Sequence, residues 1–366
     1  MGTEFVYAQP VKIYFGEGCF ARLGEVLAEL GVQRAVLVCG RHFAPEAEAM
    51  AADDSRIAAV FPGVEQNPQL SGVRETVRLC RETGADAVIG VGGGSSIDTA
   101  KFAAAVAPNE GEALDYYRGL RAFDANSRLR IVAVPTTAGT GSEVTQVSVV
   151  SHESEKKTIN HPAFMPSAAI VDPRLSATVP PRTTMNTGLD ALAHALEGYW
   201  SRNHQPIPDL KAVEAVRLVL ENLERAYRDG SDMEARANMA YASLLGGLSF
   251  ALPKTAACHA CSYPLSELYH LPHGEACAFT LDSFVRVNAD ARLEELCRRA
   301  GLKDTEELAA RIRALKALGG LRTRLSELGE VDIPALAAAC AAHPLMNNNP
   351  VRLDDKRLAA MFEALR

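Results

Sequence analysis

The first half of the sequence alternates short apolar runs with helical patterns, and this alternation leaves few folds open. Three runs rich in β-branched residues are bounded by Gly or Pro, as buried strands are: 35–39, 87–91 and 131–134. Helical patterns such as 71–83 separate them, so the strands are expected to pair in parallel through right-handed crossovers. We therefore predict an α/β, doubly wound N-terminal domain, with further strands at 144–150 and 168–171.

The second half shows helical patterns without convincing strands. Across 209–228, apolar residues recur at steps of three and four and form one helix face. Two prolines follow Val179 and interrupt both helix and sheet, so they mark a boundary. We predict an α/β domain over residues 1–180 and an all-helical domain over 181–366.

Composition excludes several classes of protein. The chain has 366 residues and a formal net charge of −7, which argues against a protein that coats nucleic acid. No apolar run reaches the ~18 residues of a membrane span. The N-terminus lacks the basic head and apolar run of a secretory signal, and the eight cysteines have no regular spacing. We expect a cytoplasmic protein with reduced thiols that binds neither nucleic acid nor membrane.

A glycine-rich turn follows the second predicted strand, in the sequence AVIGVGGGSSIDTAK (87–101). Its three consecutive glycines let backbone N–H groups approach a phosphate, and a helix expected to begin near Ile97 adds partial positive charge. A tight structural turn is the alternative, because the sequence is neither G-x-G-x-x-G nor a Walker loop. A second loop, PTTAGTGSE (135–143), follows the third strand, and ligands gather at that sheet edge. Together the loops favour a nucleotide site.

Two segments of the second half hold candidate metal ligands. Asp190 and His194 are four residues apart and share a helix face, although a buried structural histidine would explain that pair alone. His259 and His273 can complete a set of one carboxylate and three imidazoles, which suits Fe²⁺ or Zn²⁺ with an open position. A single C-x-x-C at 258–261 lies in a helical pattern, and we assign it no metal or redox role.

In combination, these segments resemble the iron-containing (group III) alcohol dehydrogenase family over nearly the whole chain. The matching motifs are GGGSSIDTAK (92–101), PTTAGTGSE (135–143), DALAHALEGYWS (190–201) and LPHGEACA (271–278). The resemblance implies the dehydroquinate synthase-like fold of that family, with an active site in the cleft between its two domains. It also implies hydride transfer between a nicotinamide cofactor, NADH or NADPH, and an alcohol or aldehyde carbon.

The resemblance carries residue roles onto this chain. It implies that the metal, Fe²⁺ or alternatively Zn²⁺, is bound by Asp190, His194, His259 and His273. It implies cofactor contacts in the pyrophosphate loop, in the threonine-rich loop and at two outlying positions. Those residues are Gly92, Gly93, Gly94, Ser95, Ser96, Asp98, Thr136, Thr137, Thr140, Ser142, Asn67 and Lys157.

Two departures from the family pattern concern the proton relay and the cofactor. Many members carry a histidine four residues after the third metal ligand, but Tyr263 stands there, and a phenol is a poor base at neutral pH. A phenol can still hydrogen-bond an alkoxide, so both Tyr263 and His270, the candidate substitute relay, are the expected catalytic residues. Gly40 and Arg41 follow the first predicted strand, at the position where NAD-selective sites often carry an acidic residue. This favours NADPH, or tolerance of it, unless Arg41 points to solvent.

The segments around Lys254, His204 and His270 look most like a branch of the family that acts on small anionic aldehydes, such as phosphonoacetaldehyde reductases. These residues lie near the metal-ligand segments, and Lys254 and His204 are the candidates for binding the anionic group of the substrate. The expected function is metal-dependent hydride transfer between NAD(P)H and a small aldehyde or alcohol. The alternatives are an NAD-using lyase or cyclase of the dehydroquinate synthase-like superfamily and a general short-chain alcohol dehydrogenase. A non-catalytic nucleotide-binding protein is disfavoured by the four-ligand set. The resemblance also suggests a homodimer.

Overall fold

A computed structural model describes residues 4–153 and 155–366. The chain divides into two compact units. The α/β unit comprises Ala8–Thr137 and Ser142–Ser176, and the helical unit comprises Ala138–Gly141 and Ala177–Arg366 with residues 4–7. The functional domain boundary at residue 180 stays a prediction.

The α/β unit is built on a parallel sheet flanked by helices. Its strands are β1 (Lys12–Phe15), β2 (Ala35–Gly40), β3 (Ile57–Val64), β4 (Ala87–Gly92), β5 (Arg130–Pro135), β6 (Val147–His152), β7 (Glu155–Asn160) and β8 (Ala168–Val171). Its helices are α1 (Leu23–Glu29), α2 (Ala44–Asp53), α3 (Leu70–Thr83), α4 (Gly94–Val106) and α5 (Ala113–Tyr117). The sheet order is β1-β8-β5-β4-β2-β3, and β6 and β7 form a separate antiparallel pair.

Strand order and register place the glycine-rich turn. The chain passes from β2 to β3 on one side and then returns to β4 on the other side of β2, so the order reverses there. Ligands of doubly wound sheets bind at such a reversal, at the carboxyl ends of the strands. In the β4–β5 pair, Gly92 lies opposite Pro135, so the two small-residue loops leave the sheet at the same edge. The predicted α/β fold is confirmed.

The strands that the sequence did not indicate are the less buried ones. β1 and β3 are sheet edges with mixed exposure, and β3 contains Pro62 and Gly63, so neither shows a continuous apolar run. The strand predicted at 144–150 begins three residues later, because Ser142–Val144 forms a 3₁₀ turn. Similarly, α4 begins at Gly94 rather than near Ile97, which brings its N-terminus into the glycine run.

The helical unit is built around a buried central helix. Its helices are α6 (Pro181–Trp200), α7 (Pro206–Arg228), α8 (Met233–Phe250), α9 (Ala257–Tyr269), α10 (His273–Val287), α11 (Ala291–Arg299), α12 (Thr305–Leu318), α13 (Ile333–Ala342) and α14 (Asp355–Glu363). Helices α7, α8, α9 and α10 all pack against α6, which is therefore buried from Leu189 to its end. As predicted, no strand follows β8 in the described part of the chain. None of the described helices is long and apolar enough to span a membrane.

Candidate metal centre and cofactor loops

One face of α6 carries three polar side chains inside the core of the helical unit. Asp190, His194 and Glu197 are spaced by four and three residues, so they lie along one helix face. Their exposed fractions are 2%, 5% and 0%. Burying a carboxylate without a partner is costly, so these groups need compensating charges or hydrogen bonds.

Helices α9 and α10 bring two further histidines to this face. Asp190 Oδ1 lies 3.7 Å from His259 Nε2 and 3.8 Å from His273 Nε2. His194 Nε2 lies 3.0 Å from His259 Nε2. The structure therefore brings the four sequence-predicted ligands together in space.

The spacing and chemistry of these groups fit a divalent metal. Ligand atoms that each lie ~2.1 Å from one metal are separated from each other by about 3 to 4 Å. Burial lowers the pKa of His194 well below its ordinary value. Burial also acts to lower the pKa of His259, but Cys277 and Glu197 outweigh it and raise that pKa.

Glu197 orients one of the imidazoles and was missed by the sequence analysis. Its Oε2 accepts a hydrogen bond from His259 Nδ1, while its Oε1 accepts backbone N–H groups of Ala256, Cys258 and His259 at 3.1, 2.7 and 3.2 Å. His194 Nδ1 donates to the carbonyl of Gly139 at 3.2 Å. Such partners fix which ring nitrogen can bind a metal. The available signal was the position of Glu197 on the Asp190 face of α6.

Close packing of α10 on α6 sets the position of His273. A Cβ at Gly274 would lie 2.1 Å from the carbonyl oxygen of Asn186, so only glycine allows this approach. The next residue, Glu275, is fully buried and pairs with Arg182 at 3.1 Å and Arg322 at 2.7 Å. These contacts hold the first turn of α10 against the first turns of α6.

A cysteine that the sequence analysis left without a role lies in the same cluster. Cys277 is one turn after His273 on α10 and is fully buried. Its Sγ lies 3.8 Å from His273 Nε2. The ligand atoms of Asp190, His259, His273 and Cys277 all lie within 4.8 Å of one another.

Of the two candidate relay residues, Tyr263 lies in the middle of α9 and His270 directly follows its last residue. Tyr263 is one turn after His259, and its ring stacks on the imidazole of His343 with centroids 4.5 Å apart. Burial lowers the pKa of His343, and its Nδ1 accepts the backbone N–H of Leu345 at 3.3 Å. His270 ends α9 in a left-handed conformation, with φ of 54°. The sequence analysis did not single out His343.

The two candidate substrate residues already have protein contacts. Lys254 is half-buried and has a left-handed φ of 69°, and its Nζ donates to the carbonyl of Ala251 at 2.9 Å, just after α8. Burial lowers the pKa of Lys254. His204 Nδ1 lies 3.0 Å from Asp209 Oδ2, which also pairs with Arg292.

The glycine-rich turn has a geometry that requires glycine at its first position. Gly92 has φ of 147°, and a Cβ there would lie 2.4 Å from the hydroxyl oxygen of Ser96. Gly93 is the N-cap of α4, and Gly94 and Ser95 begin the helix. The first N–H groups of a helix have no partner within the helix, so they can bind an anion. Thr136 N–H donates to the Gly92 carbonyl at 2.9 Å, which joins the two loops.

A buried lysine links α4 to the loop after β5. Lys101 Nζ donates to Ser142 Oγ at 2.8 Å, Thr145 Oγ1 at 3.3 Å and the Val147 carbonyl at 2.8 Å. Ser142 Oγ in turn donates to Asp98 Oδ1 at 2.7 Å. The side chains of Asp98 and Ser142, both predicted to contact the cofactor, are thus engaged in this network.

Burial dominates the pKa values in the network around Lys101. It lowers the pKa of Lys101 to about 8, and it raises the pKa of Asp98. It also raises the pKa of Glu143 to about 6.

The remaining predicted cofactor residues lie in varied surroundings. Asn67 has a left-handed φ of 58°, and its side-chain oxygen accepts from Lys156 Nζ at 3.1 Å. The Nζ of Lys157 lies over the ring of Tyr117, 4.7 Å from its centre. Arg41 is exposed, directly after the end of β2 at Gly40.

The threonine-rich loop is shared between the two units. Thr136 and Thr137 belong to the α/β unit, whereas Thr140 lies in the segment Ala138–Gly141 of the helical unit. Within the helical unit, Gly141 has φ of 60°, and a Cβ there would lie 2.4 Å from Gly247 Cα. The structure therefore brings together the metal candidates in one unit and most cofactor candidates in the other.

Both halves of the chain are similar to known proteins. The family model "Iron-containing alcohol dehydrogenase" matches residues 10–173, and the C-terminal model of the Fe-containing alcohol dehydrogenase family matches 184–365. The 1,3-propanediol dehydrogenase of Klebsiella pneumoniae is 34% identical over 98% of both chains. Long-chain-alcohol dehydrogenase 1 of Geobacillus thermodenitrificans is 36% identical over 83% of this chain and 81% of its own.

A solved structure is similar over the full length. It is the sulfoacetaldehyde reductase of Bifidobacterium kashiwanohense in complex with NAD⁺, with a TM-score of 0.95 and 39% identity, covering 100% of this chain and 99% of that one. Both halves of the chain match family models, and full-length relatives exceed 30% identity. The chain therefore belongs to the iron-containing alcohol dehydrogenase family and is an oxidoreductase of that family.

Proposed function

We propose that the protein is an NAD(P)H-dependent, metal-dependent reductase of small aldehydes that carry a sulfonate or phosphonate group. The observation that supports this most directly is the cluster of buried Asp190, His194 and His259 with half-buried His273, in which neighbouring ligand atoms are 3.0 to 3.8 Å apart. Fe²⁺ is the proposed metal, with Zn²⁺ as the alternative, because both bind imidazole and carboxylate ligands.

The protein groups around the cluster have defined tasks in this proposal. A bound metal would supply Lewis-acid polarisation of the substrate oxygen. Glu197 and the Gly139 carbonyl hold the Nδ1 protons of His259 and His194, so each Nε2 keeps its lone pair for the metal. We assign to the Tyr263 hydroxyl the role of proton donor to the substrate oxygen when the aldehyde is reduced. The imidazole of His343 stacks on the Tyr263 ring and would hold it in place.

The cofactor is assigned to the loops at the carboxyl edge of the sheet. The N-terminus of α4, with Gly92 to Ser96, would bind the pyrophosphate through backbone N–H groups. Although Arg41 is exposed, we assign to it a contact with the 2′-phosphate of bound NADPH, since no acidic residue ends β2. The test is Arg41→Ala: we expect KM for NADPH to rise about tenfold with little change for NADH. Equal changes for both cofactors would leave Arg41 without this role.

The proposal of an anionic substrate is supported by two observations. The solved structure described above is a sulfoacetaldehyde reductase that resembles this chain over its full length. Lys254 offers a half-buried ammonium five residues before His259. Its Nζ donates a hydrogen bond to the Ala251 carbonyl, which is neutral and does not neutralise the positive charge of Lys254. Since the net charge of −7 repels an anion, local cations must supply the attraction.

A substrate panel tests the function. Oxidation of NADH and NADPH is measured with sulfoacetaldehyde, phosphonoacetaldehyde and neutral aldehydes of equal size, on protein of measured metal content. We expect the highest kcat/KM for an anionic aldehyde, and loss of activity in His259→Ala. Equal rates on neutral aldehydes would instead support a general short-chain alcohol dehydrogenase, which the similarity to a 1,3-propanediol dehydrogenase favours. Unchanged activity in His259→Ala would contradict metal dependence.

Assembly is a separate proposal. We propose a homodimer, as the family resemblance suggests, and light scattering coupled to size-exclusion chromatography tests it. A mass of one chain, against 39.2 kDa for the monomer, would contradict the dimer.

A further inference from the structure

Cys277 is the feature of the metal cluster that the four-ligand description does not use. It lies on the same face of α10 as His273, four residues later, so both side chains point toward Asp190 and His259. Its side chain is fully buried in the helical unit. The ligand atoms of Asp190, His259, His273 and Cys277, a set that does not include His194, lie within 4.8 Å of one another. The Sγ–Nε2 distance to His273 is 3.8 Å.

The geometry points to Cys277 as an additional, thiolate ligand of the same metal, an inference that rests on the proposed metal centre. A sulfur ligand lies ~2.3 Å and a nitrogen ligand ~2.1 Å from zinc, so the two are about 3.6 Å apart at a tetrahedral angle and about 3.8 Å apart at an angle of about 120°. The observed Sγ–Nε2 distance of 3.8 Å lies within this range. On binding, the Sγ–H bond breaks, its proton passes to solvent, and Sγ donates its electron pair to the metal.

The consequence concerns which metal the site prefers. Thiolate is a soft ligand, and it raises the affinity for Zn²⁺ relative to harder cations. A set of carboxylate, imidazoles and one thiolate therefore shifts the site toward zinc compared with carboxylate and imidazoles alone. This preference does not depend on which aldehyde is the substrate.

Cobalt substitution tests the inference by spectroscopy rather than by activity. The protein is loaded with Co²⁺ to one ion per chain, and its visible and near-ultraviolet absorption is recorded. We expect visible d–d bands together with a near-ultraviolet thiolate-to-cobalt charge-transfer band. Cys277→Ser should keep the d–d bands and lose the charge-transfer band. The matched control is Cys258→Ala, a buried cysteine next to His259 whose removal should leave the charge-transfer band in place.

Metal affinity gives a second measurement on the same variants. Competition with a chromophoric chelator should show that Cys277→Ser binds Zn²⁺ at least about tenfold more weakly than the wild type. X-ray absorption of the zinc-loaded wild type needs no variant, and it should show a sulfur shell at ~2.3 Å.

Separate results overturn the inference and the metal centre on which it rests. If cobalt binds and the charge-transfer band is absent, or persists in Cys277→Ser, the thiolate is not a ligand while the metal centre stands. A zinc-loaded wild type with only nitrogen and oxygen neighbours also excludes the thiolate ligand, even if the variants fail to fold. If the wild type binds neither cobalt nor zinc, both proposals fail.

Discussion

Glu197 shows how a single buried carboxylate in this protein serves two structures at once. One oxygen binds the Nδ1 proton of His259, and the other binds three N–H groups at the beginning of α9. Those N–H groups are the ones that a helix leaves without internal partners. The residue therefore fixes both the start of α9 and the orientation of a candidate metal ligand.

Replacing this carboxylate should weaken metal binding without removing a ligand. In Glu197→Gln we expect metal affinity to fall on the order of 10- to 100-fold, since the imidazole loses its charged partner. Chelator competition measures the change. The control is Glu224→Gln, an exposed carboxylate on α7 that pairs with Arg228. Equal affinity in Glu197→Gln and wild type would contradict the orienting role.

Lys254 is the residue at which the proposed substrate charge can be tested. Lys254→Met should raise KM for sulfoacetaldehyde about tenfold, because a desolvated ammonium–anion contact contributes on the order of 1.4 kcal/mol or more. Neutral aldehydes should keep their KM. Lys303→Met, at an exposed lysine, serves as the control. A parallel rise for neutral aldehydes would show that Lys254 supports the fold and does not recognise charge.

The buried Lys101 predicts a pH dependence of stability with a definite sign. Its pKa is about 8 in the folded chain, against an ordinary value of 10.5. At pH values between these two, the unfolded chain therefore binds more protons than the folded chain. The free energy of unfolding should therefore rise with pH across that window, by at most about 3.5 kcal/mol. Urea unfolding across the window, compared with Lys101→Met, isolates this contribution. Identical slopes for the two proteins would contradict it.

At the scale of elements, contacts between helices decide where the candidate ligands meet. α10 lies so close to α6 that Gly274 has no room for a side chain, and Glu275 pairs with Arg182 beside it. The ligand separations depend on this approach, because Asp190 is on α6 and His273 begins α10.

Enlarging Gly274 should therefore separate the two helices. In Gly274→Ala, the new methyl group would meet the Asn186 carbonyl at 2.1 Å, so α10 must shift. We expect a loss of stability of about 1–3 kcal/mol and weaker metal binding. Denaturant unfolding and chelator competition measure the two effects. Ser283→Ala, in the same helix, is the control, and a Gly274→Ala protein with wild-type metal affinity would contradict the packing argument.

The strands that could be predicted from the sequence are the ones that are buried on both faces of the sheet. The runs that became β2, β4 and β5 are apolar throughout because helices cover both faces of the sheet. Edge strands β1 and β3 carry no such pattern, since one side faces solvent or lacks a neighbour. The start of α4 at Gly94 was missed because glycine has a low helix propensity, which the close fit around the turn overrides.

At the scale of the whole molecule, one tryptophan reports on the unit that holds the metal candidates. Trp200 is the single tryptophan of the chain, and it ends α6 with 3% of its surface exposed. Its fluorescence should follow unfolding of the helical unit, because burial in that core is lost on unfolding. Ligands that bind only the folded state stabilise it by mass action.

Removal of metal should therefore lower the temperature at which the Trp200 fluorescence changes. A strong chelator is expected to lower the midpoint by several degrees, and excess Zn²⁺ or Fe²⁺ should restore it. Asp190→Asn is the matched variant, and its midpoint should respond little to either treatment. A wild-type midpoint that is insensitive to chelator, in protein shown to contain metal, would contradict the proposed centre.

The sequence by itself determined the fold class and the four candidate metal ligands. Apolar runs and helical periodicity report burial directly, and Asp190 and His194 share a helix face by spacing alone. Only the tertiary structure placed Glu197 and Cys277 beside those ligands and His343 against Tyr263. These contacts join residues that are distant along the chain, and no local spacing records which helix faces approach each other. Packing decided them, because the helices meet where glycine allows close approach and buried charges find partners.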